Sequence, residues 1–186
     1  MKIAGTLAAC LLLSTLGCFS GAHWVSGQHR ESDPCEAVVM MSSPSKDVVG
    51  FLALTQMKYG VKLVGWLMGL KPGRHGMHVH TFGDVKTDGC TSTGFHYNPH
   101  NATHGGPYSA TNMRHVGDLG NVVANEQGIA VVNIFDRVIS LIGPLSIDGR
   151  AIVVHAQEDD LTPKANPGSR VGCGTIVKIT KTKKYH

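Results

Sequence analysis

Short apolar runs recur along the chain, each cut off by glycine, proline or a polar cluster. Glu36 to Met41 and Val48 to Gln56 are β-rich and are separated by a Ser-Pro-Ser turn signal. Val61 to Leu70 alternates between Gly60 and the Lys71-Pro72-Gly73 stop, and His75 to Phe82 follows as a fourth strand. His115 to Ala124 and Ile129 to Phe135 flank the turn Asn125-Glu126-Gln127-Gly128, which predicts a hairpin. Ile139 to Leu145 is apolar but broken by Gly143-Pro144, so it reads as a crossing connection. Ala151 to His155 and Val171 to Thr180 complete eight strands. With no convincing amphipathic helix and no repeat of fixed period, the pattern predicts an all-β, eight-stranded antiparallel sandwich or barrel. Two irregular segments interrupt it, Gly83 to Arg114 and Glu158 to Arg170, and a loop as long as the first is usually functional or disordered in a compact domain.

The ends of the chain read differently. Lys2, the apolar stretch Ile3 to Leu16 and the small residues Gly17, Ser20, Gly21 and Ala22 form a secretory signal over residues 1–22. That apolar core is short for a membrane span, and Thr15-Leu16-Gly17-Cys18 is a poor lipidation site. Residues 23–35 follow as a flexible leader, 36–180 as the patterned domain and 181–186 as a basic tail. At 186 residues, one domain with a real core is expected. A formal charge of +4 falls well short of a nucleic-acid footprint. Removal of the signal leaves Cys35, Cys90 and Cys173, and an oxidising compartment would pair two of them. The sequence permits three pairings. Cys35 lies in a polar leader, whereas Cys90 and Cys173 sit among glycines inside the patterned region, a setting that favours pairing them.

Histidine is the outlier, since eight of eleven lie between His75 and His155. In Gly76-Met77-His78-Val79-His80 the two imidazoles project from one face of a strand, as they could not on a helix. Such a pair suits copper, zinc, iron or nickel, although an isolated H-x-H is more often hydrogen-bonded or solvated. His96, His104, His115 and Asp118 make a complete four-ligand set for zinc. His78, His80 and the strand-end His155 make a second set, one ligand short of a four-nitrogen copper site. Sharing one histidine through both ring nitrogens would complete both.

The ordered motifs G-M-H-V-H, G-x-H-Y-N-P around His96, H-G-G-P at His104, H-V-G-D-L-G-N at His115 to Asn121, V-V-H at His155, D-D-L at Asp159 to Leu161 and G-S-R-V-G-C-G at Gly168 to Gly174 resemble copper/zinc superoxide dismutase across residues 36–180. The resemblance implies a Greek-key barrel with two functional loops that dismutates superoxide. It implies copper at His78, His80, His96 and His155, and zinc at His96, His104, His115 and Asp118, with His96 as the bridge. Asp159 would tie a copper histidine to a zinc histidine. Cys90 and Cys173 would form the disulfide anchoring the long loop, and Arg170 would guide and hold the anion.

The chain also departs from the family. Between Asp160 and Arg170 it has only Leu-Thr-Pro-Lys-Ala-Asn-Pro-Gly-Ser, shorter than the charged segment of cytosolic members, with Lys164 as a stand-in for steering charge. Phe82 to Cys90 carries one extra residue near the family's dimer contact, which bears on the homodimer that the resemblance implies. His100 reads as a bystander, His75 as a hydrogen-bonding scaffold residue, and Trp66 as a strand residue without a catalytic task. Asn101-Ala102-Thr103 is a glycosylation sequon. Lys178, Lys181, Lys183 and Lys184 could bind a polyanion weakly or solvate the terminus. Two other classes compete with an enzyme: a metal-binding module without turnover, and a matrix interaction protein using the basic tail. A copper-only site is disfavoured by the intact set of His96, His104, His115 and Asp118.

Overall fold

The computed structural model describes residues 35–43 and 47–179. The predicted signal, most of the leader and the 181–186 tail lie outside the described residues. Eight strands form: β1 (Glu36–Ser42), β2 (Val49–Met57), β3 (Gly60–Met68), β4 (Gly73–His80), β5 (Asp118–Ala124), β6 (Ala130–Asp136), β7 (Ala151–His155) and β8 (Arg170–Ile179). They close into an antiparallel barrel in the order β1-β2-β3-β6-β5-β4-β7-β8. The crossings from β3 to β4 and from β6 to β7 give it Greek-key connectivity. The all-β expectation therefore stands, and Ile139 to Leu145 is indeed a connection and not a strand.

Alternation fills the interior. Val39 and Met41 of β1, Leu52 and Leu54 of β2, Leu63 and Leu67 of β3, and Ile152 and Val154 of β7 all belong to one buried cluster. Each such side chain contributes about 1.5–3 kcal/mol by leaving water. β4 departs from simple alternation because both of its faces are covered. Met77 and Val79 point into the core, while His78 and His80, on the opposite face, are also fully buried. The covering layer is the long loop after β4. Val79 N–H donates to Gly117 O at 2.8 Å, and Tyr97 N–H donates to Val79 O at 2.8 Å. Gly117 permits this approach, since an added Cβ would lie 2.2 Å from Val79 O.

One strand boundary differs from the sequence expectation for a chemical reason. β5 begins at Asp118, not at His115. The Asp118 carboxylate accepts from His115 N–H at 2.8 Å, and Asp118 N–H donates to His115 O at 3.2 Å. The turn thus closed holds His115 off the ladder.

Candidate metal centre

The barrel supplies three of the histidines from two neighbouring strands. β4 and β7 pair antiparallel with His78 opposite Val153 and His80 opposite Ala151. Ladder irregularities fall between Gly76 and His78 and between Val154 and His155, where a bulge re-aims side chains. The long loop brings His96, His104 and His115 over the same outer face. The ring centroids of His78 and His96 stack 3.8 Å apart.

Two four-residue groups of donor atoms result, beside the smaller trio of His78, His104 and Asp159. His78, His80, His96 and His155 form one, and His96, His104, His115 and Asp118 the other; within each group the donor atoms lie within 4.8 Å of one another. All seven residues named as ligands from the sequence are thus brought together, with His96 common to both sets. In the second set His96 Nδ1 is 2.9 Å from Asp118 Oδ1, His115 Nδ1 is 3.2 Å from the same oxygen, His104 Nδ1 is 3.0 Å from Oδ2, and His115 Nδ1 is 3.4 Å from His96 Nδ1. A tetrahedron with bonds of about 2.0–2.1 Å has an edge of roughly 3.3 Å, so this spacing fits zinc.

The outer hydrogen bonds fix which nitrogens stay bare. Asp159 only accepts, so His78 Nε2–H donates to its Oδ2 at 2.7 Å and His104 Nε2–H donates to its Oδ1 at 2.9 Å. That leaves His78 Nδ1 and His104 Nδ1 as buried atoms without hydrogen-bond partners, one in each group. His104 Nδ1 faces Asp118 Oδ2 at 3.0 Å, a position where a metal cation would take the place of the proton shared with the carboxylate. His80 Nδ1–H donates to Gly94 O at 2.9 Å and His155 Nδ1–H donates to Gly168 O at 3.0 Å, which turns their Nε2 atoms toward each other at 3.4 Å. Every bare nitrogen points inward, as metal sites with ordered outer partners require.

The electrostatics agree with the geometry. Burial pushes His78 down to about 3, His80 to about 2 and His155 to about 4, so the three rings are neutral and their lone pairs carry no proton at physiological pH. At His104 burial acts downward, but the Asp118 and Asp159 carboxylates outweigh it and push the ring up to about 9. The same carboxylates would attract a metal cation. Burial raises Asp118 and Asp159, yet their histidine partners hold both well below the usual carboxylate range.

A cavity of about 610 Å³ opens onto the site, lined by His80, His96, His155 and Arg170 among others. The Arg170 guanidinium is fixed by its donors: Nη1 to Cys90 O at 2.7 Å, Thr91 O at 3.0 Å and Thr93 Oγ1 at 3.2 Å, and Nη2 to Gly94 O at 2.6 Å. Cys90 and Cys173 are disulfide-bonded, and Cys35 is a free cysteine. Lys164 is exposed and does not line the cavity, which leaves Arg170 as its permanent cation. His75 is buried, its Nδ1 2.9 Å from His155 O and its Nε2 2.7 Å from Lys71 O. His100 is exposed and belongs to neither donor group.

Three supporting positions escaped the sequence reading. Asn121 clamps Asp159 from both sides, donating to its carbonyl and accepting from its amide at 2.8 Å each; it stood in the H-V-G-D-L-G-N motif without a role. Thr93 Oγ1 lies 3.2 Å from His80 Nδ1 as well as contacting Arg170. Arg114, 1% exposed, donates to Asp136 Oδ2 at 2.7 Å and to the carbonyls of His115 and Pro107, so it ties the zinc-side loop to the end of β6. A lone arginine in a polar loop carries no sequence signal for such a role.

Residues 48–176 match the family model described as copper/zinc superoxide dismutase (SODC). The chain is 43% identical over 151 residues to the extracellular Cu-Zn superoxide dismutase of Brugia pahangi, covering 75% of this chain and 74% of that relative. It is also similar to the crystal structure of the clock protein EA4, with a TM-score of 0.71 and 41% identity over 77% of this chain and 94% of that one. The family match runs from β2 into β8 and takes in both loops, so the chain belongs to the copper/zinc superoxide dismutase family.

Proposed function

We propose that this chain dismutates superoxide, with copper held by His78, His80, His96 and His155 and zinc by His96, His104, His115 and Asp118. The observation that carries the reading is the pair of donor groups sharing His96, each with an inward-facing, unpartnered buried nitrogen. Bound copper would supply the redox chemistry, by which one superoxide is oxidised to dioxygen and a second is reduced, with two protons, to hydrogen peroxide. The chain's own contribution is positional. Arg170 presents a fixed positive charge at the cavity and binds the anion beside His80 and His155. His96 keeps Nδ1 toward Asp118, so its Nε2 is the atom able to take a proton and return it to the departing peroxide. Asp159 keeps His78 and His104 in the tautomer that leaves Nδ1 bare.

Metal analysis of the purified chain together with a superoxide assay tests this directly. Copper and zinc in equal amounts and fast dismutation are expected; metal-loaded protein without turnover would leave a binding module. Arg170→Ala should lower the rate by about tenfold or more and weaken inhibition by small anions, with both metals retained. An unchanged rate would remove Arg170 from the anion site. Asp159→Asn should weaken metal binding by about 10–100-fold, because the amide competes for the roles that a pure acceptor fixes. Competition with a chelator reads this, and equal affinities would refute it.

The extracellular designation of the Brugia relative supports secretion of this chain after removal of residues 1–22. Within that reading Asn101, exposed and in a turn held by Asn98, is open to glycosylation. A homodimer is expected from the family, and the C-terminal lysines, of which Lys178 is half-buried, could add weak polyanion binding.

A further inference from the structure

The barrel has one seam that is nearly open. Every other pair of neighbouring strands runs in register over four positions or more. β5 and β6 meet in register at a single pair, Ala124 opposite Ala130. Beyond it the two strands part, and between them lies a cavity of about 840 Å³, bounded by Gly120 and Asn121 of β5 and by Asn133 and Phe135 of β6. Pro107 to Thr111 of the long loop form a further wall. Gly120, at φ +81°, lets that wall come close, since an added Cβ would lie 3.1 Å from Pro107 Cδ. The volume falls within the roughly 300–1,000 Å³ of small-molecule sites. This cavity shares no lining residue with the metal cavity, so it is independent of the enzymatic reading.

Every charged residue that lines the seam is a cation. Lys62 and Arg137 stand on the β3–β6 bank and Arg74 on the β4–β5 bank. Arg74 is paired with Glu158, which does not line the cavity. Lys62 and Arg137 have no hydrogen-bond or ion-pair partner among the described residues. Lys62 lies opposite Phe135 in the ladder, which sets their Cβ atoms about 4.5–5.5 Å apart. Arg137 follows two positions after Phe135, and with Asp136 buried between two exposed residues it falls on the same side of the chain. The two cations therefore flank one ring. A second ring, Tyr108, lines the same cavity and is fully exposed, while Phe135 is 43% exposed.

We propose that this seam binds a small aromatic phosphate ester, of the size of a nucleoside monophosphate. Its phosphate lies between Lys62 and Arg137, whose guanidinium fork matches phosphate oxygens. Its planar ring packs against Tyr108 and Phe135, and Asn133 supplies neutral hydrogen bonds at the edge. A phosphate alone would leave both aromatic faces without a partner, and an uncharged ring would leave both cations without one. An extended sulfated polysaccharide fits less well, because the cations face one bounded gap and are not set out in a line.

Calorimetric titration of the full metal-loaded chain with adenosine monophosphate tests the assignment, with superoxide turnover and far-UV dichroism as controls for the fold. At the efficiency usual for ligands of this size, the dissociation constant should be on the order of 10 µM. Lys62→Ala and Arg137→Ala should each weaken binding about tenfold or more. Tyr108→Ala should weaken it about tenfold as well, on the scale of base stacking, while leaving the weaker binding of inorganic phosphate unchanged. Turnover should be unaltered in all three, and Arg170→Ala should bind adenosine monophosphate as the wild type does. Tyr108 is fully exposed, so its variant keeps the test open should a cation variant fail to fold. No binding at millimolar ligand, or affinity indifferent to the three substitutions, would overturn the proposal. Loss of binding in Arg170→Ala alone would place the anion in the metal cavity and overturn it too. Adenosine binding as tightly as its phosphate would overturn the role of the cations. Dextran sulfate binding a hundredfold more tightly through Lys62 and Arg137 would overturn it in favour of an extended polyanion.

Discussion

Replacing His155 by alanine should remove copper and superoxide turnover while leaving most of the zinc. His155 offers Nε2 to one donor group only, whereas His96 serves both, so the loss is confined to the copper side. Outer partners of metal ligands typically cost 10–100-fold when lost, and loss of a ligand should exceed that, at about a hundredfold or more in copper affinity. The fold should survive. The His155 carbonyl that faces His75 Nδ1 belongs to the main chain and persists, and the ladder contact with Arg170 is also main-chain. What is lost structurally is one hydrogen bond to Gly168 O at 3.0 Å, worth about 1 kcal/mol. Elemental analysis and an assay on the same preparation read both sides. Unchanged turnover would exclude His155 from the copper site, and equal loss of both metals would show that the two groups do not separate as drawn.

The strands were legible because each is written locally. Alternation, a glycine or proline stop and a length of seven to ten residues mark most of them, and β2, β3 and β6 fall within a residue or two of where the pattern puts them. His78 and His80 could be placed on one face for the same reason. The partners of that face could not, since His96, His104 and His115 lie in a loop without periodicity. Only the ordered motifs of the family joined them to β4. Electrostatic and hydrogen-bonding details were less legible still. That Asn121 clamps the main chain of Asp159, or that Arg114 reaches Asp136, depends on loops whose paths are set by tertiary hydrogen bonds.

Replacing Cys90 and Cys173 together by alanine should cost about 4–5 kcal/mol of stability and should also slow turnover. The bond closes residues 83 positions apart, and the chain-entropy relation gives the energy for a loop of that length. Alanine is preferable to serine here because both sulfurs lie in a small apolar cluster with Ala151 and Val153, where a hydroxyl would lack a partner. The functional effect follows from what the loop carries. Cys90 O and Gly94 O hold the two ends of the Arg170 guanidinium, and Gly94 O also holds the His80 ring. Freed from β8, the segment from Cys90 to Gly94 would lose its fixed height above the cavity, so anion binding and copper retention should weaken together. Denaturant unfolding of metal-free protein isolates the chain term from metal linkage, and a midpoint lower by roughly 10–15 °C in thermal melts is the matching expectation for a chain of this size. A stability loss below about 1 kcal/mol would mean that the barrel and the loop hydrogen bonds hold the segment without the disulfide. Full stability loss with unaltered turnover would separate the anchor from the site that it is argued to position.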